Sequence, residues 1–256
     1  MKKLKLPQVT LAAMTSVNVY ETVRAMAYSM RDIEFGDAVF ISHRRPLYLP
    51  RGVRFGKIDR LKDIDAFNYA CVYKLKDYIN TDYMLLVHAD GFVVHPECWD
   101  DEFLKYDYIG SPWPLPEDER MYRDSAGNIC RVGNSVSIRS KRLLEYPTVH
   151  ATPWCPMWDG SYNEDTYLCC LFKNEMESKG LKWAPFETAL RFGREKPLPE
   201  NAGMDTFIFH KWWGENAKYP QFRSPYKRFK DCVRPLLFWR RSESWKRAHG
   251  MADVQS

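Results

Sequence analysis

The stretch Asp82-Tyr83-Met84-Leu85-Leu86-Val87-His88-Ala89-Asp90-Gly91-Phe92-Val93-Val94 decides how the chain folds. Its apolar run from Tyr83 to Val87 has no helix cap and stops abruptly on His88, Asp90 and Gly91. That is the pattern of a buried strand with polar groups at its carboxyl end. Open α/β sheets bind their ligands outside such strand ends.

Upstream, residues 64 to 79 have helical spacing and lead directly into this strand. Before them, Gln8 to Met14 reads as a strand, Val19 to Met30 as a helix introduced by the short polar residues Thr15, Ser16 and Asn18, and Ala38 to Ser42 as a second strand. Strand, helix, strand opens a parallel α/β sheet. Downstream, Ile109 to Pro116 reads as a proline-rich loop and 117 to 129 as a mobile polar one. Val132 to Arg139 alternates as a strand beginning at a glycine turn, and Ser140 to Tyr146 is a short helix or turn ended by Pro147. A helix from Thr166 to about Lys179 stops at Gly180, Leu181 to Pro185 and Ala189 to Phe192 are short strand candidates, and Phe207 to His210 is a last strand.

The 256 residues are 45% hydrophobic and 28% charged, so most of the chain has the composition of a folded core. Seven scattered cysteines without a CxxC spacing indicate reduced thiols, not a disulfide framework or a zinc site. The basic start Met1-Lys2-Lys3 is followed by a stretch broken by Gln8, Thr10, Thr15 and Ser16, which does not fit a signal peptide. No run reaches the roughly 18 apolar residues of a membrane span, and a cytoplasmic location is expected. The net charge of +5 hides an asymmetry: from Arg223 to His249 nine Lys or Arg face two Asp or Glu. The expected division is therefore a folded domain over 1–222 and a basic, amphipathic, helical tail over 223–256.

Four features carry chemistry. His88 and Asp90, two apart on an extended segment, share a face and can reach one ion; carboxylate, imidazole and phosphate oxygens suit Mn²⁺ or Mg²⁺ bridging a diphosphate. The competing reading is an Asp-Gly turn whose carboxylate satisfies turn amides. Glu164-Asp165 opens a helix, where one acid suffices as cap and the other is spare as a general base. Gly133-Asn134 marks a glycine turn, and His210 follows three apolar residues.

In this order, the four features resemble the core of GT-A nucleotide-sugar glycosyltransferases, a Rossmann-like three-layer α/β/α fold with a mostly parallel sheet. His88-Ala89-Asp90 matches the usual Asp-x-Asp metal motif with its first acid replaced by His88. Val132-Gly133-Asn134 matches the acceptor-side glycine loop, Asn163-Glu164-Asp165 the acidic helix start, and His210 the late metal-binding histidine. His88-Ala89-Asp90-Gly91-Phe92-Val93, the run from Trp99 to Pro114 and Val132 to Ser140 are similar to an uncharacterised-domain branch found in bacterial polysaccharide gene clusters. The resemblance spans about residues 8 to 214. It implies a divalent metal held by Asp90, His88 and His210, with the nucleotide-sugar donor, a UDP-sugar first, on Thr15, Ser16, Asn18, Arg45, Ala89 and Asp90. It implies Asp165 as the base of an inverting transfer to a glycan or lipid-linked hydroxyl, the acceptor resting on Gly133, Asn134, Trp113, Trp158 and Glu164. Arg44, Arg45 or Arg194 would serve the diphosphate if no metal does.

The tail mixes basic residues with Phe229, Leu236, Leu237, Phe238 and Trp239, which suits an anionic membrane surface and a peripheral enzyme; packing on the body is the alternative, and no nucleic-acid module is recognisable. Two other functions share the sheet: a metal-dependent nucleotidyltransferase, disfavoured by the lack of a glycine- and lysine-rich triphosphate loop, and a non-catalytic nucleotide-sugar or glycan-binding protein.

Overall fold

The computed structural model describes residues 3–157 and 159–227. Its first strand, β1 (Leu4–Met14), is buried at every position from Val9 onward, the signature of a strand covered on both faces. Helix α1 (Val19–Ser29) returns the chain to β2 (Ile33–Ser42), which is followed by β3 (Arg54–Lys57) and α2 (Ile64–Tyr73). Asp63 caps α2 by accepting the Ala66 N–H at 2.8 Å. Then come β4 (Tyr83–Leu86), β5 (Gly91–Val93), β6 (Tyr108–Pro112) and β7 (Val132–Ser140). The remainder is α3 (Lys141–Val149), α4 (Glu164–Thr166), α5 (Lys173–Ser178), α6 (Phe186–Phe192), β8 (Gly193–Arg194) and β9 (Ile208–His210).

Six strands form the main sheet in the order β3-β2-β1-β4-β7-β6. Only β7 runs against its neighbours, so the other five point the same way. The chain walks from β1 outward to β3 and then re-enters on the far side of β1 as β4. Right-handed crossovers taken in opposite directions put α1 and α2 on opposite faces. Helix α2 covers the face carrying Ala12, Met14, Val39 and Leu86. The reversal between β1 and β4 is a topological switch point, and it leaves a cleft outside the carboxyl ends of those two strands. A small second sheet, β5-β9-β8, stands beside it and joins the β4 turn to the end of the domain.

Several departures of the fold from the sequence expectation have a local reason. Strand β1 starts earlier than Gln8 because the register slips between Leu6 and Thr10, which accommodates Pro7 without its N–H. The proline-rich 109–116 segment begins as strand β6; it is an edge strand, and Pro112 stands at its end where no ladder donor is needed. Pro147 lies inside the last turn of α3 instead of ending it. Ala189 to Phe192 is helical, with Ala189 and Phe192 buried three residues apart. The helix predicted from Thr166 is interrupted by a π-turn at Tyr167–Leu171 before α5.

Residues up to Pro220 form one unit, and the basic tail expected over 223–256 lies almost wholly outside the described residues, as does Trp158. Among the described residues no helix is long and apolar enough to cross a membrane.

Strands β6 and β7 approach so closely at Gly110 that a Cβ there would lie 1.8 Å from the Gly133 carbonyl oxygen. That neighbour is backbone and cannot rotate away. Gly110→Ala is therefore expected to cost about 1–3 kcal/mol or more of stability, read as a lowered urea midpoint.

Candidate active site

The cleft at the switch point has a volume of about 570 Å³. Its floor begins where β1 ends. Thr15 Oγ1 accepts the Val17 N–H at 3.0 Å, and Ser16 Oγ accepts the Leu61 N–H at 2.9 Å, so the loop is pinned to the segment preceding α2. Asn18 takes a left-handed conformation, φ 51°, where asparagine is tolerated. Met14, Thr15, Ser16, Val17 and Asn18 all line the cleft. Arg45 does not: it stands with Arg44 on an exposed loop outside the cleft wall. Arg194 is also elsewhere, buried against Glu215 at 2.6 Å.

At the end of β4, His88 to Gly91 is a tight turn, not the extended segment expected, closed by His88 N–H to the Gly91 carbonyl at 2.7 Å. Its two functional side chains consequently have separate partners. His88 Nε2 is 2.8 Å from Ser135 Oγ on β7. Burial, reinforced by nearby His210, pushes the His88 imidazole down to about 4, so it is neutral at physiological pH. Asp90 Oδ2 takes the Lys211 ammonium at 2.5 Å, while its Oδ1 lies 3.7 Å from His210 Nε2. Burial alone would raise the Asp90 carboxyl, but His210 and Lys211 outweigh it and hold the group below its usual range. His210 Nδ1 in turn is 3.1 Å from Glu195 Oε1, though out of line for a hydrogen bond.

The opposite wall is built on a buried ion pair. Arg139, on β7, has no solvent exposure; its Nη2 meets Glu164 Oε1 at 3.0 Å, its Nε donates to Ser137 Oγ at 3.0 Å, and its guanidinium lies 5.7 Å from the Tyr108 ring centre. Fixing Glu164 fixes its neighbour. Asp165 faces the cleft with Oδ1 accepting the Thr166 N–H at 2.8 Å. Burial, then the adjacent Glu164 charge, push its carboxyl up to about 7. The π-turn that follows is the kind of helix irregularity often found at functional sites.

Asn163 and Asp165 also line a second hollow of about 340 Å³, with Trp113, Tyr122, Met157 and Glu195. There the Trp113 and Tyr122 rings are stacked with centroids 4.5 Å apart. Trp154 instead packs into the aromatic group of Tyr69, Tyr73 and Tyr167. Gly133 and Asn134 are buried behind the wall and line neither hollow. Gly133 is not a turn residue; it lies within β7, where an added Cβ would strike the Trp113 ring at 1.8 Å. Its absent side chain seats the indole.

The three residues expected to share one divalent ion all line the cleft, with the His88 and His210 rings 5.8 Å apart between centroids, but each has other partners. Asp90 Oδ1 and His210 Nε2 are close enough to be two ligands, yet His88 is engaged with Ser135 and an ammonium already sits on the one carboxylate. Among the described residues no three His, Cys, Asp or Glu side chains are placed to hold a metal. Sequence reading missed Lys211, Glu195, Ser135 and Asn68 as site residues. Lys211 directly follows the recognised His210, and the pairing of Gly91 with His210 across β5 and β9 is what puts it opposite Asp90.

Residues 56–210 match the family model described as "Protein of unknown function (DUF5672)". The chain belongs to the DUF5672 family. No curated protein matches it. Among solved structures, this DUF5672 chain is similar to the galactosyltransferase LgtC in complex with donor and acceptor sugar analogues, at 16% identity, 87% of this chain, 94% of the other and a TM-score of 0.51. It is also similar to a glycosyltransferase involved in glycosylation of the major capsid of PBCV-1, at 11% identity, 82% and 95% coverage and a TM-score of 0.48. The shared feature is the fold, a GT-A α/β architecture with a mostly parallel central sheet.

Removing one member of the Arg139–Glu164 pair leaves a buried charge uncompensated. Arg139→Met is expected to lose about 3–5 kcal/mol by urea unfolding, and adding Glu164→Leu to recover most of that loss. Asp165 has the opposite sign. Its carboxyl rises from 3.8 in the unfolded chain to about 7 in the fold, so the native state favours its protonated form. That contribution is complete below pH ~4 and is lost as pH rises through ~7. Asp165→Asn should thus melt at a temperature increasingly above that of the wild type from pH 4 to pH 7, the gap levelling off beyond.

Proposed function

We propose that this DUF5672 protein is a glycosyltransferase that moves a sugar from a nucleotide-sugar donor to a hydroxyl of a glycan acceptor, with Asp165 as general base. One observation carries the reading: Asp165 stands on the partition between two hollows, the larger at the carboxyl ends of β1 and β4 and the smaller floored by an aromatic stack. A transfer needs two bound reactants and a proton acceptor between them.

In this scheme the nucleotide lies along Thr15, Ser16 and Asn18 and the diphosphate faces Ala89 and Asp90. Phe67 and Asn68 close the cleft from α2. The acceptor sugar lies in the smaller hollow against Tyr122, whose partly exposed ring, backed by the buried Trp113 indole, suits a pyranose face. Its hydroxyl gives its proton to Asp165 as the oxygen attacks the anomeric carbon, and the bond from that carbon to the diphosphate oxygen breaks with its electrons leaving on phosphate. A base on the acceptor side serves a single displacement, which inverts the anomeric centre. The raised carboxyl is an asset here, since a base is most useful when its pKa lies near the working pH. Glu164, tied to Arg139, orients the helix start.

Neither a UDP donor nor a lipid-linked acceptor is distinguished by the residues of the two hollows; UDP-sugars and oligosaccharides are the first to assay. A role of the basic tail at an anionic membrane belongs to the same proposal, through its charge alone.

Asp165→Asn tests the scheme. Transfer, followed as nucleoside diphosphate release in a panel of UDP-, GDP- and dTDP-sugars, should fall by about 10²–10⁴-fold, with donor binding by calorimetry retained. In the wild type, kcat/KM should rise tenfold per pH unit toward a plateau above an apparent pKa near 7. Unchanged transfer in the variant would remove Asp165 as base, and donor binding without turnover in the wild type would favour a binding protein.

A further inference from the structure

The cleft contains a cation that the sequence motifs did not announce. Lys211 follows the last residue of β9, and its backbone N–H donates to the Asp90 carbonyl at 2.8 Å, extending the pairing of Gly91 with His210 by one residue. It holds a left-handed conformation, φ 62°, that lysine rarely adopts. Asn216 secures it: this fully buried side chain reaches the Lys211 carbonyl at 3.1 Å and also those of Arg194, Glu195 and His210. The backbone is thus clamped in an uncommon geometry, and that geometry directs the ammonium onto Asp90 Oδ2 inside the cleft. An ammonium has three N–H donors, and the bond to Asp90 uses one.

We propose that Lys211 is the fixed cation that binds the donor's diphosphate and stabilises the departing nucleoside diphosphate, so that transfer by this chain requires no divalent metal. The inference rests on the glycosyl-transfer reading of the same cleft. A dication bridging Asp90 and the diphosphate would sit against the Lys211 ammonium, with His88, engaged by Ser135 Oγ, standing where a second carboxylate would offset its charge. Like charges so close repel, whereas the ammonium alone already neutralises Asp90 and has donors left for phosphate oxygens. As the bond between the anomeric carbon and the phosphate oxygen breaks, the electron pair stays on that oxygen. Lys211 remains protonated and hydrogen-bonds the developing charge, while the acceptor's proton goes to Asp165. Asp90 keeps the ammonium oriented.

The test uses the full chain after EDTA treatment, with inorganic pyrophosphate and UDP as calorimetric probes and Lys211→Met and Lys211→Arg as variants. The wild type is expected to bind pyrophosphate without metal. Lys211→Met should weaken that binding by about 10- to 100-fold, the scale of one charge-assisted contact, and Lys211→Arg should restore part of it. Melting curves of each variant separate loss of charge from loss of fold; if Lys211→Met does not fold, Lys211→Arg and the EDTA response of the wild type carry the decision. Titration of Mn²⁺ alone should show no site in the wild type. Pyrophosphate binding that appears only with Mn²⁺, or is equal in wild type and Lys211→Met, overturns the proposal, as does no binding under any condition. Failure of the transfer reading would look different: pyrophosphate bound through Lys211, yet no sugar moved from any donor.

Discussion

A guanidinium with no solvent exposure has to find its counter-charge inside the protein, and Arg139 finds it in Glu164. Much else in the cleft depends on that necessity. The pair joins the one antiparallel strand of the main sheet to a helix start only three residues long, too short to be held by its own hydrogen bonds. Without it the Glu164-Asp165 step would lie at the end of an irregular segment beginning near Ala151. Such a pair is a weak source of net stability, because desolvating both charges offsets most of their attraction, and Arg139 Nη1 has no hydrogen-bond partner among the described residues. Its value lies in position: Glu164 is turned inward, so Asp165 is turned toward the cleft.

The same pair governs the protonation of its surroundings. Burial raises the Asp165 carboxyl, and a neighbouring acid whose charge is balanced from the far side adds to the effect, so its proton is held to about 7. Across the cleft the conditions reverse. Asp90 is kept ionised by Lys211 and His210, and His88 is kept neutral. One wall therefore has a carboxylate suited to accepting a proton and the other a carboxylate committed to a cation. Two acids of the same intrinsic strength acquire different roles through their neighbours, and such divergence is a mark of acid–base sites.

How far the sequence made this legible follows from which interactions are local. The strand ending at His88, the helix from Ile64 and the acid pair at residues 164 and 165 were all readable, since periodicity and capping are short-range signals. The Trp113–Gly133 contact was not, because a missing Cβ has meaning only once the ring packed against it is known. The π-turn after Thr166 arises where Tyr167 reaches the Tyr73 hydroxyl at 3.0 Å, a contact spanning 94 residues. The placement of His88 relative to Asp90 was not legible for a comparable reason: the share-a-face rule for residues two apart holds in extended backbone, and the chain turns tightly at Ala89-Asp90 instead.

Lys211 shows how a topological feature becomes a chemical one. A lysine after a short strand is ordinarily a solvated terminus. Here β5 and β9 pair antiparallel, and β5 begins one residue beyond Asp90. Any residue following His210 must then fall opposite Asp90, and a left-handed φ sets the direction of its side chain. Of the side chains available, a carboxamide or hydroxyl would leave the half-buried Asp90 with His210 alone as its counter-charge. Lysine adds a second, a compact charge at the end of a long stem. The small sheet thus does more than close the domain: it sets the charge of the wall that the donor's phosphates would meet.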